Sequence, residues 1–176
     1  MKILFLLAVV LFATPFFVTQ NKEYVCTPCG LDCDHAVHNK PGTCPSCGMK
    51  LVEKSTANVK NVSFKEVCDR LKANPNAILL DVRTPHEFDG SSGKESFGHF
   101  RNAININVEE LPHRINEIKK YKDQEVIVYC SHSHRSPRAS YLLTTNGFRN
   151  VENVRGGVST ITQSEKDCLA NDFVSH

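Results

Sequence analysis

A cysteine at the end of an apolar run is the residue of this sequence best placed for covalent chemistry. Residues 126–129 are apolar and predict a buried strand, and Cys130 follows them directly. The loop after it leads into a helix whose predicted start is Ser136, a favourable cap, followed by Pro137. A helix N-terminus offers unpaired N–H groups and a positive dipole, and both favour the thiolate, which is the reactive form of cysteine. We therefore predict that Cys130 is a nucleophile.

The loop that follows Cys130 carries residue types that bind an oxyanion. Arg135 has a permanent positive charge, and two histidines add charge when they are protonated. The predicted substrate-binding residues are Ser131, His132, Ser133, His134, Arg135 and Ser136. The alternative is that Cys130 is an inert strand-end thiol beside a solvated basic loop. We favour the catalytic interpretation, because polar and cationic surroundings are unusual for an inert buried cysteine.

Four further cysteines have the spacing of a metal site. Cys26 and Cys29 form one Cys-x-x-Cys pair, and Cys44 and Cys47 form another. Two such pairs on two turns are typical of tetrahedral coordination, so we predict zinc or another soft or borderline transition metal. The segment has few large apolar side chains, and metal binding supplies on the order of 10 kcal/mol to such a fold.

The cysteines also allow other interpretations. Outside the cytosol the two pairs could be disulfides or could cycle as dithiols, although no βαβ pattern surrounds them. Cys33, His35 and His38 form either a second, weaker site or an ordinary loop. Cys68 lies on the apolar face of a predicted helix and is assigned to the core, whereas Cys168 has acidic neighbours and is assigned as unreactive.

Composition divides the chain into three parts. Residues 1–20 begin with Lys2 and continue as an uncharged apolar run, which predicts a signal peptide or an uncleaved N-terminal anchor. Residues 24–54 form a Cys-rich module, and residues 59–176 form a larger domain. Either fate of the N-terminus predicts an exported protein of the periplasm or cell envelope, with membrane contact only if the segment is retained. The formal net charge of +2 predicts no nucleic-acid partner.

The larger domain alternates helix and strand patterns. Ser63 and Glu66 form a capping box at the start of an amphipathic helix, and Gly147 ends another helix. Apolar runs predict strands at residues 77–80, 103–106, 126–129 and 151–154. This alternation predicts an α/β fold with a mostly parallel sheet and helices on both faces, preceded by a small metal-stapled module.

The larger domain resembles the rhodanese family of sulfurtransferases. The matching motifs, in the family's order, are Leu80-Asp81-Val82-Arg83, Gly98-His99-Phe100, Ala103-Ile104-Asn105, Val128-Tyr129-Cys130 through Arg135-Ser136, and Gly156-Gly157. The resemblance implies that Cys130 takes a sulfane sulfur from an anionic donor such as thiosulfate, forms a persulfide, and passes the sulfur to a thiol or cyanide-like acceptor. It also implies that Arg135 and the loop amides hold the anion, and that sulfur transfer requires no cofactor. Asp81 and Arg83 would support the site, or have a structural role only.

The Cys-rich module is similar to the small heavy-metal-binding domain attached to copper-transporting ATPases and efflux adaptors. The similarity covers Tyr24-Val25-Cys26 and residues 41–51. Pro28-Cys29 stands where that family usually has Met-His, so Cys29 would replace a histidine ligand. Together the two resemblances predict an exported, thiosulfate-type sulfurtransferase with a metal-binding module. The alternative is a metal-handling or binding protein whose rhodanese-like domain does not turn over substrate.

Overall fold

Strands and helices alternate along the larger domain, as the hydrophobic pattern predicts. The computed structural model describes residues 21–93 and 96–176, so the predicted signal or anchor at residues 1–20 lies outside the described residues. The strands are β1 Tyr24–Cys26, β2 Leu51–Glu53, β3 Lys60–Val62, β4 Ile78–Asp81, β5 His99–Phe100, β6 Ile104–Asn105, β7 Glu125–Tyr129, β8 Asn150–Val154 and β9 Phe173–Val174. The α-helices are α1 Phe64–Ala73, α2 Pro85–Phe88, α3 Leu111–Arg114, α4 Arg135–Thr145 and α5 Gln163–Cys168. Short 3-10 helices cover Asp32–His35, Lys54–Thr56, Ile115–Tyr121 and Val158–Thr160.

Five parallel strands form the central sheet, in the order β3-β8-β7-β4-β6. Leu80 of β4 pairs with Val128 of β7 on one side and with Ile104 of β6 on the other. All five strands therefore end at the same edge, which is where open parallel sheets place their sites. The predicted α/β fold with a parallel sheet is confirmed.

Alternate side chains of β7 fill two separate cores. Ile127 and Tyr129 pack in the core that α1 and the C-terminal segment cover. Val126, Val128 and the following Cys130 pack in the core on the opposite face, beneath α3 and α4. Because strand side chains alternate between the two faces of a sheet, an uninterrupted apolar strand needs helices on both sides.

Local capping fixes the start of α1, whereas the predicted start of α4 differs from the observed one. Ser63 and Glu66 form the predicted capping box of α1, and Glu66 accepts the Ser63 N–H at 2.7 Å. The predicted cap at Ser136 is wrong, because α4 already begins at Arg135 and Ser136 lies within its first turn. The Ser136 side chain is fully buried, and its Oγ lies 3.3 Å from the Cys130 Sγ.

A disulfide joins α1 to α5 through Cys68 and Cys168, whose Cα atoms lie 6.3 Å apart. The two residues are 100 positions apart in the chain, and the sequence pattern assigned them to the core and to an unreactive tail. The bond fastens the C-terminal segment to the face of the sheet that α1 covers.

The N-terminal segment folds around its cysteines. Strands β1 and β2 form an antiparallel pair, and the 3-10 helix at 32–35 packs beside β1. The buried side chains of this module are Cys26, Cys29, Cys33, Cys44 and Leu51, together with Val25 and Pro28. Within residues 21–93 and 96–176, no helix combines the length and the apolar character that crossing a membrane requires.

Candidate active site at the Cys130 loop

Cys130 lies at the carboxyl end of β7, near the middle of the sheet. The residue is 1% exposed, and its side chain belongs to the α4 face of the core. Its carbonyl accepts the Val158 N–H at 2.9 Å, which ties the start of the loop to the turn after β8. The thiol is free, its Sγ lies 3.3 Å from the Ser136 Oγ, and the Arg135 side chain also interacts with it. The arrangement places the sulfur beneath the loop that leads into the N-terminus of α4.

The turn after β8 supports the loop from below and requires glycine. Gly157 has φ of +66°, and a Cβ atom there would overlap the carbonyl oxygens of Cys130 and Ser131. Ser159 donates its N–H to the Ser131 carbonyl at 3.0 Å. The Gly-Gly pair singled out in the sequence thus allows a second backbone segment to approach the loop closely.

Arg135 is held by a carboxylate that the sequence analysis did not identify. Its guanidinium donates to both oxygens of Glu87, with Nη1–Oε2 at 2.8 Å and Nη2–Oε1 at 2.6 Å. The Ser131 hydroxyl joins the same cluster and donates to Glu87 at 3.2 Å. Such fork-shaped pairs are among the stronger hydrogen bonds of proteins. Arg135 is therefore engaged within the protein and not freely available to an anionic ligand.

The cluster sets the charges of both partners. Hydrogen bonding from Arg135, with help from Thr84, lowers the pKa of Glu87 to about 2. Glu87 in turn raises the pKa of Arg135, with a smaller contribution from the Cys130 sulfur. Thr84 and Glu87 also form the capping box of α2, directly after β4 and at the same sheet edge. That Thr-x-x-Glu pattern was the available sequence signal for Glu87.

Asp81 and Arg83 form a fully buried ion pair beneath the site. Arg83 Nη2 lies 2.6 Å from Asp81 Oδ2 and donates to the Gly98 carbonyl at 2.8 Å. Both side chains are completely inaccessible to solvent. The pair anchors the segment that contains Gly98 to β4, so these two predicted supporting residues are placed to hold the scaffold.

The other predicted loop residues differ in exposure. His132 and His134 are exposed, and the His132 ring packs edge-on against Phe97 at a centroid distance of 5.4 Å. Ser133 has φ of 58°, the left-handed conformation that costs an ordinary residue roughly 1–2 kcal/mol. Asn153 donates from Nδ2 to the Ser133 Oγ at 3.0 Å and so helps to hold that conformation.

Four thiols of the N-terminal module converge. The Sγ atoms of Cys26, Cys29, Cys33 and Cys47 all lie within 4.8 Å of one another. The Cys26 and Cys47 sulfurs are 3.2 Å apart, and those of Cys29 and Cys33 are 3.6 Å apart. This cysteine cluster could hold a metal ion, since converging soft thiolates are the ligands of tetrahedral sites. Cys33, for which the sequence left a role open, is part of it.

Cys44 is a fifth thiol beside the cluster. It is buried, and the backbone N–H groups of Cys47 and Ser46 donate to its sulfur and lower its pKa to about 7. Burial has the opposite effect on Cys26, Cys29 and Cys33, whose thiol pKa values it raises. Cys44 thus has the local environment of a thiolate ligand, while the convergence of the other four defines the site.

A cavity of about 670 Å³ is lined by residues of both the module and the Cys130 loop. Module residues such as Pro28, Leu31 and His35 line one side of it. His132 and Ser133 of the loop line the other side. The module and the loop are therefore neighbours in space, although they are about 100 positions apart in the chain.

Comparison with known proteins identifies the larger domain. The family model described as "Rhodanese-like domain" matches residues 63–164, which is more than half of the chain. The tRNA uridine(34) hydroxylase of Buchnera aphidicola is 35% identical over 101 residues, covering 55% of this chain and 30% of that protein. The enzyme of the same name from Cronobacter sakazakii is 30% identical over 89 residues, covering 48% and 24%. The crystal structure of a rhodanese-related protein from Thermoplasma volcanium is 29% identical with a TM-score of 0.47, covering 61% and 91%.

These relatives overturn four predictions made from the sequence. The predicted function as an exported thiosulfate sulfurtransferase, or as a metal-handling protein without turnover, is wrong, because the curated relatives are named for an enzyme of tRNA. The predicted absence of a nucleic-acid partner is wrong for the same reason. The predicted signal peptide and the predicted location in the periplasm or cell envelope are contradicted too, since an enzyme named for tRNA is not expected there.

Two physical reasons explain these errors. A net charge of +2 is a sum over the whole chain and does not describe the surface around one site. The chain also spans only 30% and 24% of the two curated relatives, so most of the length of those proteins lies outside the matched segment.

Proposed function

Because the chain belongs to the family of rhodanese-like domains, we propose that it is an enzyme whose Cys130 thiol makes the covalent attack in a modification of tRNA uridine. The observation that carries the proposal is the position of Cys130. It lies at the carboxyl end of a central parallel strand, beneath a loop that opens a helix, inside the segment that matches the family. The names of the curated relatives support tRNA uridine as the substrate class.

The charges around the thiol support a substrate that is neutral where it reacts. Arg135 is the permanent cation of the loop, and Glu87 pairs with it through two short hydrogen bonds. An anionic donor such as thiosulfate would have to compete with that carboxylate. A uracil ring carries no charge, so its binding depends on hydrogen bonds and shape complementarity more than on an unpaired cation. The Arg135–Glu87 pair then fixes the position of the loop beside Cys130.

The remaining loop residues have distinct proposed roles. Ser136 faces the sulfur and can donate its hydroxyl hydrogen to a thiolate. Ser131 belongs to the Arg135–Glu87 cluster, and Ser133 shapes the loop. The exposed histidines His132 and His134 are available to contact the substrate from the rim of the site.

We propose that the module at 24–54 binds zinc and that residues 59–176 form the catalytic domain. Zinc fits a set of thiols, and it would act as a structural cross-link between the turns that carry them. The predicted ligands Cys26, Cys29, Cys44 and Cys47 supply four thiols, and the geometry adds Cys33 as an alternative. The Cys130 loop needs no metal for its attack.

The test uses cells that lack their own tRNA uridine(34) hydroxylase, so that the cell supplies all co-reactants. The full chain and its Cys130→Ser variant are expressed, and total tRNA is digested and analysed by mass spectrometry. Adding one oxygen atom to uridine is a two-electron oxidation, so the oxygen must come from an oxidant of the cell such as molecular oxygen. The wild type is expected to restore a uridine heavier by one oxygen atom, and the variant is expected to restore none. A Glu109→Gln variant is the matched control, because Glu109 pairs on the surface with Arg138. Equal products from wild type and Cys130→Ser, or none from either, would refute the proposal.

A further inference from the structure

The Cys-rich module touches the Cys130 loop at one glycine. Gly30 has φ of +72°, and a Cβ atom there would overlap the Ser133 carbonyl oxygen. The same Cβ would lie 3.5 Å from Nδ1 of His134. The backbone of the module therefore rests directly on the outer side of the loop, four residues or fewer from the proposed nucleophile Cys130.

The residue that Gly30 covers is the conformationally unusual member of the loop. Ser133 is the non-glycine residue with positive φ among the described residues. Its side chain is held from the sheet by Asn153, and its carbonyl side is covered by Gly30. A left-handed residue between right-handed neighbours turns successive N–H groups toward one side of a loop, which forms an anion-binding concavity. Contacts on both sides of Ser133 thus preserve the shape that serves Cys130.

The turn that carries Gly30 depends on the cysteine cluster. The Asp34 carboxylate accepts the N–H groups of Gly30 at 2.8 Å and of Cys29 at 2.9 Å. Asp34 lies on the 3-10 helix at 32–35, next to Cys33 of the cluster. Because the core of the module consists largely of cysteines, anything that disrupts the cluster releases this turn.

We propose that Gly30 is a positioning residue for the Cys130 loop, and that the state of the cysteine cluster thereby regulates the reactivity of Cys130. The proposal rests on the proposed role of Cys130 as the attacking thiol. With the cluster intact, the 29–30 turn holds Ser133 in its left-handed conformation. When the cluster loses a ligand, the turn moves, the N–H groups of the loop lose their common orientation, and the Cys130 thiol becomes less reactive.

The decisive comparison is between Gly30→Ala and Gly48→Ala in the full-length protein. Gly48 lies in the same module and has φ of +74°, but a Cβ atom there would meet nothing within 4 Å. Both variants carry the same backbone strain, and only Gly30→Ala collides with the loop. Hydrogen exchange of the β1 and β2 amides reports whether the module stays folded in each variant.

Two measurements follow the loop. Hydrogen exchange of residues 131–136 is expected to become several-fold faster in Gly30→Ala and to stay at the wild-type rate in Gly48→Ala. Alkylation of Cys130 is followed by mass spectrometry on the tryptic peptide 123–135, which contains no other cysteine. The ratio of its alkylation rate at neutral pH to that at alkaline pH is expected to fall several-fold in Gly30→Ala alone. Cys33→Ser, which removes one thiol of the cluster, is expected to change exchange and alkylation in the same direction.

The outcomes separate this proposal from the proposed function. Identical loop exchange and alkylation ratios in Gly30→Ala, Gly48→Ala and wild type would overturn the positioning role, as would equal changes in the two variants. If the wild type does not alkylate at Cys130 under any condition, the proposed function fails. Loop exchange in the two glycine variants then still decides whether Gly30 holds the loop.

Discussion

Replacing Glu87 by glutamine tests the central charge pair of the site. The substitution keeps the size of the side chain and removes the charge that Arg135 binds through two hydrogen bonds. The Arg135 side chain is 31% exposed and that of Glu87 is 14% exposed, so the pair is partly shielded from solvent. We expect Glu87→Gln to lower the free energy of unfolding at neutral pH. We also expect it to remove the part of the pH dependence of stability that comes from protonation of Glu87.

The magnitude follows from the pKa of Glu87. A decrease from 4.5 to about 2 corresponds to at most about 3 kcal/mol, at 1.36 kcal/mol per unit. Solvent screening at the exposed side of the pair reduces this to about 1–2 kcal/mol. Because the folded-state pKa is lowered, this stability is present above pH 4.5 and is lost as the pH falls toward about 2.

The assay is urea unfolding of wild type and Glu87→Gln at a series of pH values between neutral and strongly acidic. The other carboxylates titrate in both proteins, so their contributions cancel when the unfolding free energy of one protein is subtracted from that of the other. The difference is expected to be about 1–2 kcal/mol at neutral pH and to approach zero at the acid end. Glu109→Gln is the control, because Glu109 is 69% exposed in its pair with Arg138 and should change stability little. A Glu87→Gln difference that stays constant with pH would refute the reasoning.

Three further expectations follow from the structure. Replacing both Cys68 and Cys168 by serine removes a disulfide that closes a 100-residue loop. Thermal or urea unfolding should show that the free energy of unfolding falls by about 2–5 kcal/mol, and an unchanged midpoint would contradict the bond. Gly157→Ala should destabilise the protein by more than about 2 kcal/mol, because the new Cβ would collide with two carbonyl oxygens and alanine is strained in the left-handed conformation. Stability close to that of the wild type would show that the turn can move. Metal analysis by mass spectrometry of Cys44→Ser and Cys33→Ser should show reduced zinc in one of the two variants, because a tetrahedral site takes only one of these cysteines beside Cys26, Cys29 and Cys47. Full stoichiometry in both variants, or reduced zinc in both, would contradict the proposed four-thiol site.

Local patterns predicted the elements of the sheet but not the pairs between distant residues. The apolar runs located β4, β7 and β8 to within a few residues, because strands buried on both faces need uninterrupted apolar sequence. The Ser63 capping box was visible for the same reason, since both partners lie within one helical turn. Glu87 was not recognised as the partner of Arg135, because 48 positions separate them and their meeting depends on the order of strands in the sheet.

The start of α4 shows a second limit of sequence patterns. Ser136 followed by Pro137 is a common helix opening, yet the helix begins at Arg135 and its cap lies two residues earlier than predicted, at His134. The Ser136 hydroxyl is buried beside the Cys130 sulfur, and packing at the site decided its position over capping preference. A deviation from local preference at this point is itself informative, because such deviations concentrate where side chains serve a site.

The charge balance of the Cys130 loop bears on which substrates can react there. From sequence, Arg135 and two histidines suggested an anion site, and that inference required the guanidinium to be unpaired. In the structure, Glu87 lies in α2, and its carboxylate accepts hydrogen bonds from both terminal nitrogens of the Arg135 guanidinium. A carboxylate with a pKa of about 2 remains charged throughout the neutral range, so the pair adds little net charge to the site. An anion approaching Cys130 therefore gains less attraction from this pair than it would gain from an unpaired guanidinium, whereas the approach of a neutral group is unaffected.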